Sequence, residues 1–160
     1  MKKLSLIFLI LLLVACSNND DSNNENEDNN VVTGNYKIEY KTQLSDSDLD
    51  MDITFSWDDE NDQLQSETIN VLNPEAYSEL TDERTALVRD VIGVYFIINS
   101  GSNYLSNTHV EVTNLDNNTS FDIMLPEPIG ALNGAFDNNT LVVAFYTDNN
   151  DFEFTYGVTN

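Results

Sequence analysis

His109 is the only imidazole in the chain and Cys16 the only thiol. A Ser-His-Asp hydrolase would therefore have to be assembled around His109, with a hydroxyl and a carboxylate brought beside it. No G-x-S-x-G elbow and no Gly-rich phosphate loop is present to guide such an assembly. His109 occupies a polar position two residues before Glu111, between Thr108 and Val110, the pattern of an exposed strand histidine. A single Cys also excludes an internal disulfide and any metal site built from several thiolates.

Carboxylates are the abundant reactive groups. Asp46, Asp48, Asp50 and Asp52 alternate with other residues, and alternate aspartates ligate calcium when a loop wraps their oxygens around one ion. An EF-hand loop starting at Asp46 would need Gly at position 51 and Glu at position 57, where Met51 and Trp57 stand. Leu49 and Met51 instead continue an apolar stripe, which makes the aspartates the solvated face of a strand. On a strand, side chains two apart lie roughly 6.5–7 Å from one another, too far to share an ion unless the chain curls. A calcium site would have to use Asp46 and Asp48 with Asp59 or Asp62 from the acidic turn Asp58-Asp59-Glu60-Asn61-Asp62. No motif calls for any other cofactor. Glycoside hydrolysis needs two carboxyls about 5–10 Å apart across a cleft; among so many acids, spacing selects no pair. Of the aromatic residues, Tyr104, inside the polar stretch Asn99 to Thr108, is the candidate for ligand contact. Tyr36, Tyr40 and Trp57 fall on apolar faces and read as core.

The charge balance narrows the partners. In 160 residues there are 28 Asp and Glu against 6 Lys and Arg, a formal charge of −22. Such a chain does not grip a nucleic-acid backbone, which requires clustered Lys and Arg. Nor does charge hold it on anionic lipid. Residues 31–160 carry 23 acids against 4 cations, a net −19.

The elements that must position these groups are strands. Tyr36, Ile38 and Tyr40 alternate with charged residues, and the apolar residues of Leu49 to Trp57, His109 to Thr113 and Phe152 to Val158 alternate with charged, polar or small ones. Val91 to Ile98 and Leu141 to Tyr146 are apolar on both faces and read as central strands covered on both sides. Thr68 to Leu72 and Phe121 to Leu125 are further strands. Asp-Asn-Asn recurs at 116–118, 137–139 and 148–150, turn chemistry that places a hairpin at Asp148 to Asp151. Asn73-Pro74-Glu75 carries helix-start chemistry, and Tyr77, Leu80, Leu87, Val88 and Val91 lie near one helical stripe. This predicts a helix over 74–90; the competing reading ends the helix at Leu80 and starts a strand at Thr85. The whole reads as a mainly β domain over residues 31–160: an antiparallel β-sandwich, immunoglobulin-like in outline, of seven to nine strands plus that one helix.

The N-terminus reads as an address. Lys2 and Lys3 precede an apolar run to Ala15 that, as a helix, spans about 18 Å, short of the roughly 30 Å hydrocarbon core. Residues 1–15 are thus a signal peptide. Its end, Leu13-Val14-Ala15-Cys16, resembles the lipobox of bacterial lipoproteins. That resemblance implies a diacylglyceryl group on Cys16, cleavage before it, and membrane attachment through lipid. Residues 17–30, SNNDDSNNENEDNN, contain no apolar residue and cannot offset the entropy of ordering. They read as a disordered tether, about 20 Å long as a coil and at most roughly 45–50 Å stretched. The segment is similar to the acidic surface-export segment of Bacteroidota lipoproteins, which implies an outer-membrane protein facing outward. The expectation is a non-catalytic module that binds a protein or glycan. The alternatives are a small envelope hydrolase using carboxylates or His109, and a calcium-dependent binding module.

Overall fold

Alternating burial along the chain produces eleven strands among the described residues. The computed structural model describes residues 33–45, 49–72, 74–101, 104–132 and 135–157. The signal peptide, Cys16, the tether, Asp46 and Asp48 lie outside them. The strands are β1 (Gly34–Leu44), β2 (Leu49–Asp58), β3 (Leu64–Leu72), β4 (Glu79–Val88), β5 (Val91–Gly101), β6 (Tyr104–Asn114), β7 (Thr119–Met124), β8 (Ile129–Leu132), β9 (Ala135–Asn138), β10 (Thr140–Tyr146) and β11 (Asp151–Gly157).

They form two antiparallel sheets packed face to face, a β-sandwich. One sheet runs β4-β1-β6-β8-β9, with β7 also on β6; the other runs β11-β10-β5-β2-β3. The immunoglobulin-like outline holds as two facing antiparallel sheets, and the connections are nested arches. β1 and β2 lie in opposite sheets; β4 and β3 flank them on one side, β6 and β5 on the other. β7 and β8 follow one another along the same edge of β6, at 109–114 and 104–105. Pro126 and Pro128 stand between them and have no N–H to give a ladder. Leu125 N–H still donates to Thr108 O at 2.8 Å. The Tyr156 hydroxyl of β11 donates to Glu127 O at 3.0 Å, pinning the interruption to the other sheet. This broken ribbon and the short β9 are why the strands outnumber the expected seven to nine.

Between the sheets, β1 contributes Tyr36, Ile38, Tyr40 and Leu44, and β2 contributes Met51, Ile53 and Phe55, all buried. Tyr40 meets Phe96 edge-on, with centroids 5.4 Å apart, and Phe55 at 5.8 Å. Phe145 gathers Phe152 at 4.9 Å, Phe121 at 5.3 Å and Tyr36 at 6.4 Å. Each such side chain contributes about 1.5–3 kcal/mol through burial.

Three expectations are corrected. The helix over 74–90 is absent: Glu79–Val88 is an edge strand, paired with β1 from Gly34–Val88 to Gln43–Glu79. Its inward positions are Leu80, Asp82, Arg84, Ala86 and Val88, so two charged residues mask the period-two pattern. Pro74 opens a turn in which Ser78 N–H reaches Glu75 O at 3.3 Å. Second, β5 and β10 do lie inside their sheet, yet only one face of each is covered. Tyr95, Ile97 and Val142 are half-buried on the outside, where no further layer lies among the described residues. Third, the stretch Asn99 to Thr108 is not one long loop, because its ends extend β5 and β6.

Candidate functional site

The outer face of the β4-β1-β6-β7 sheet carries three rows of side chains set by strand register. Thr85, Lys37, Thr113 and Ser120 form one row; Glu83, Glu39, Glu111 and Asp122 form the next; Thr81, Lys41, His109 and Met124 form the third. The middle row places four carboxylates directly opposite one another, an arrangement that is unfavourable by itself. Lys37 on one side offsets it. Lys37 Nζ lies 3.0 Å from Glu39 and 3.8 Å from Glu83. Its pKa is raised, first by the hydrogen bond to Glu39 and then by that carboxylate's charge. On the other side, His109 Nε2 lies 3.2 Å from Asp122 Oδ2. His109 thus lies on the outer, polar face of its strand beside acids, as expected, but is half-buried and not exposed.

Beyond the third row the β1–β6 register slips, from Lys41–His109 to Gln43–Ser106. This β-bulge holds Asn107 at φ 51°, and bulges re-aim side chains in this way. Asn107 Nδ2 donates to Gln43 Oε1 at 2.9 Å. Beneath the bulge, the buried Thr42 and Thr108 hydroxyls share a 2.9 Å hydrogen bond. Across the sheet edge, the 74–78 turn carries Tyr77 at φ 58° and 76% exposed. A bulky residue in the left-handed region costs of order 1–3 kcal/mol and is an outlier.

These features border an open recess of about 340 Å³, lined by Lys41, Thr42, Gln43, Tyr77, Glu79, Asn107, His109 and Met124. Met124 is 60% exposed. Among the described residues, Lys41 is the one Lys or Arg without an ion pair. The lining contains no Ser or Cys, and the Thr42 hydroxyl is engaged with Thr108. What the recess offers is hydrogen-bond donors and acceptors, one exposed phenol ring and one flexible thioether.

The remaining sequence candidates lie elsewhere. Tyr104 begins β6, half-buried and paired with Gly130; its N–H donates to Ser45 Oγ at 3.1 Å. Asp59 Oδ1 accepts the Asn61 and Gln63 N–H groups at 2.8 and 3.0 Å, and its Oδ2 accepts from Gln65. The backbone donors of Gln63 and Asn61 hold its pKa below the ordinary value. Asp62 faces Arg89 at 3.5 Å. Arg89 Nε also lies 3.1 Å from Asp90, placed as an ion pair without a hydrogen bond. Burial, then the carboxylates of Asp62 and Asp90, push Asp58 upward. Among the described residues, no three or more His, Cys, Asp or Glu converge as metal ligands. Asp52 accepts from the Asn70 and Asn99 amides on the outer face of the second sheet. The carboxylates considered for hydrolysis thus include one ordered row, Glu83 to Asp122, which spacing within any single strand does not reveal.

Sequence reasoning placed His109 correctly on a polar strand face. It missed Tyr77, which lay inside the expected helix, and it missed Lys41 and Asn107, whose roles depend on pairing between strands 64 or more residues apart. Comparison with protein-family models, with curated proteins and with solved structures finds no match for this chain.

Proposed function

We propose that this chain is a lipid-anchored outer-membrane lipoprotein, facing outward, whose β-sandwich is a non-catalytic module that binds a glycan or protein partner. The observation that carries the binding reading is the recess beside the β1–β6 bulge. It collects an exposed Tyr on a turn beside an unpaired Lys and a hydrogen-bonded amide pair on the sheet, and its lining contains no Ser or Cys. Sites placed on a sheet hold their geometry better than sites on loops. The anchor rests on the lipobox ending at Cys16 and on the acidic segment that follows it. A single acyl chain holds a protein only reversibly, whereas two or more give stable attachment.

The anchor is tested by Cys16→Ser, which should move the protein from the membrane fraction to the soluble fraction; retention in the membrane would remove the lipid from the account. Protease added to intact cells should digest the domain, and protection would place it on the inner side. The non-catalytic reading is tested by recovering a bound ligand and examining it chemically. An unchanged ligand is expected, and turnover that depends on His109 or on the Glu39–Glu111 row would favour the hydrolase instead. The reading requires no calcium.

A further inference from the structure

The geometry points to a neutral oligosaccharide as the ligand of the recess, stacked on Tyr77 and held by the Gln43–Asn107 amide pair; this rests on the binding-module reading above.

Backbone strain is the first observation. Five non-glycine residues adopt positive φ among the described residues. Asp62, Asn118 and Asn150 do so in hairpin turns, where Asx residues serve that purpose. The other two, Tyr77 and Asn107, both line the recess. Tyr is poorly suited to that conformation, and the turn uses it to hold an aromatic ring out of the core. Strained residues of this kind gather at ligand clamps.

The chemistry of the lining is the second. A pyranose has one C–H-rich face and a rim of hydroxyls. An exposed phenol ring matches the first. The Asn107–Gln43 hydrogen bond uses Asn107 Nδ2 and Gln43 Oε1, leaving Asn107 Oδ1 as acceptor and Gln43 Nε2 as donor. That fixed acceptor and donor suits two neighbouring hydroxyls, and pre-orientation lowers the ordering cost of binding. Lys41 adds donors and Glu79 adds acceptors.

Charge selects among sugars. Lys41 and Glu79 balance one another in the lining, while the surrounding domain carries a net −19. The row Glu83–Glu39–Glu111–Asp122 runs alongside. An acidic polysaccharide is repelled by this field, and a neutral one is not. A protein partner would have to extend over that acidic row to bury the roughly 800 Å² per side of an ordinary interface.

The test is titration of the full-length protein in detergent against neutral and uronic-acid oligosaccharides by calorimetry. Neutral oligosaccharides are expected to bind, with Tyr77→Ala weakening them about tenfold or more. Tyr77→Trp should retain binding, and Phe154→Ala, an exposed aromatic on β11, should leave it unchanged. Tyr77→Gly is the decisive variant: it relieves the left-handed strain, so the melting temperature should hold or rise while binding falls. Absence of binding to every neutral oligosaccharide, or preference for the uronic acids, overturns the inference. Glycan binding that survives both Tyr77→Ala and Tyr77→Gly also overturns it and leaves the wider binding-module reading standing. Cleavage of the oligosaccharide would overturn the non-catalytic reading instead.

Discussion

Arg84→Met is the substitution that most directly tests how the open side of the sandwich is closed. Arg84 sits at an inward position of β4, the edge of one sheet, opposite Ile38. Its guanidinium lies 5.2 Å from the Phe55 ring centroid and reaches Glu67 of β3, the edge of the other sheet, at 2.6 Å. It also donates to Asp82 at 2.9 Å. The cation–π contact contributes about 0.5–1 kcal/mol. Glu67 and Asp82 are 56% and 36% exposed, so each pair is screened and contributes about 0.2–1 kcal/mol. Met keeps the apolar stem over Phe55, and the freed carboxylates are hydrated. The expected loss is therefore about 1–3 kcal/mol, which for a domain of this size lowers the melting temperature by roughly 3–10 °C. Urea unfolding and calorimetry measure it directly. In high salt the wild type should lose part of this margin, and the variant should lose less. A double-mutant cycle with Glu67→Gln should show a coupling of about 0.5 kcal/mol or more. A melting temperature unchanged by Arg84→Met, or a coupling of zero, would refute the idea that this residue joins the two edges.

Other outcomes follow from buried and paired groups. Burial pushes the Tyr40 phenol up to about 12, with the Asp82 carboxylate adding to the effect. Its folded pKa exceeds the unfolded one, so its stabilising contribution is complete below pH 10 and declines as pH rises from about 10 to 12. Burial also raises Tyr146 and Tyr156, so absorbance titration should show a late phase from several tyrosines, and Tyr40→Phe should remove its part of that phase. Asp116 accepts both the N–H and the side-chain amide of Asn35 at 2.9 Å, and these bonds hold its pKa below 3.8. That contribution is present above about pH 4 and lost as pH falls through the lowered value. In Asp116→Ala the acid limb of the stability curve should accordingly flatten. Phe96→Ala removes a fully buried ring from the Tyr40 contact and should destabilise by about 3–5 kcal/mol in urea unfolding.

The strands that can be read from sequence are those whose buried face is uniformly apolar. β1 and β2 show their period plainly because Tyr36, Ile38 and Tyr40, or Met51, Ile53 and Phe55, take successive inward positions between polar residues, whereas β10 hides it because Val142 and Ala144 on its outer face are apolar too. β4 hides it as well, because Asp82 and Arg84 take two inward positions to serve the edge. The recess was still less legible. Its floor is a register slip between residues 41–43 and 106–109, and no local pattern encodes a slip between distant strands. Asn107 is a residue type that tolerates left-handed backbone, but so are many Asn in this chain. Tyr77 read as the first turn of a helix because Pro74 and Asn73 usually begin one. His109 was legible because alternation alone decides its face.

The position of β1 has a mechanical consequence. The chain enters the domain at the start of β1, which is hydrogen-bonded along its length to β4 on one side and β6 on the other. The recess lies near the far end of that same strand, at Lys41 and Gln43. A ligand gripped by Asn107 of β6 and by Tyr77, in the turn that leads into β4, would pass a pull from the N-terminal chain across the β1–β6 and β1–β4 ladders and load them in shear. Many backbone hydrogen bonds must then break together, whereas a pull across an edge strand opens them one after another. The order of strands in this sheet would make the domain resist most along the line from the start of β1 to the recess.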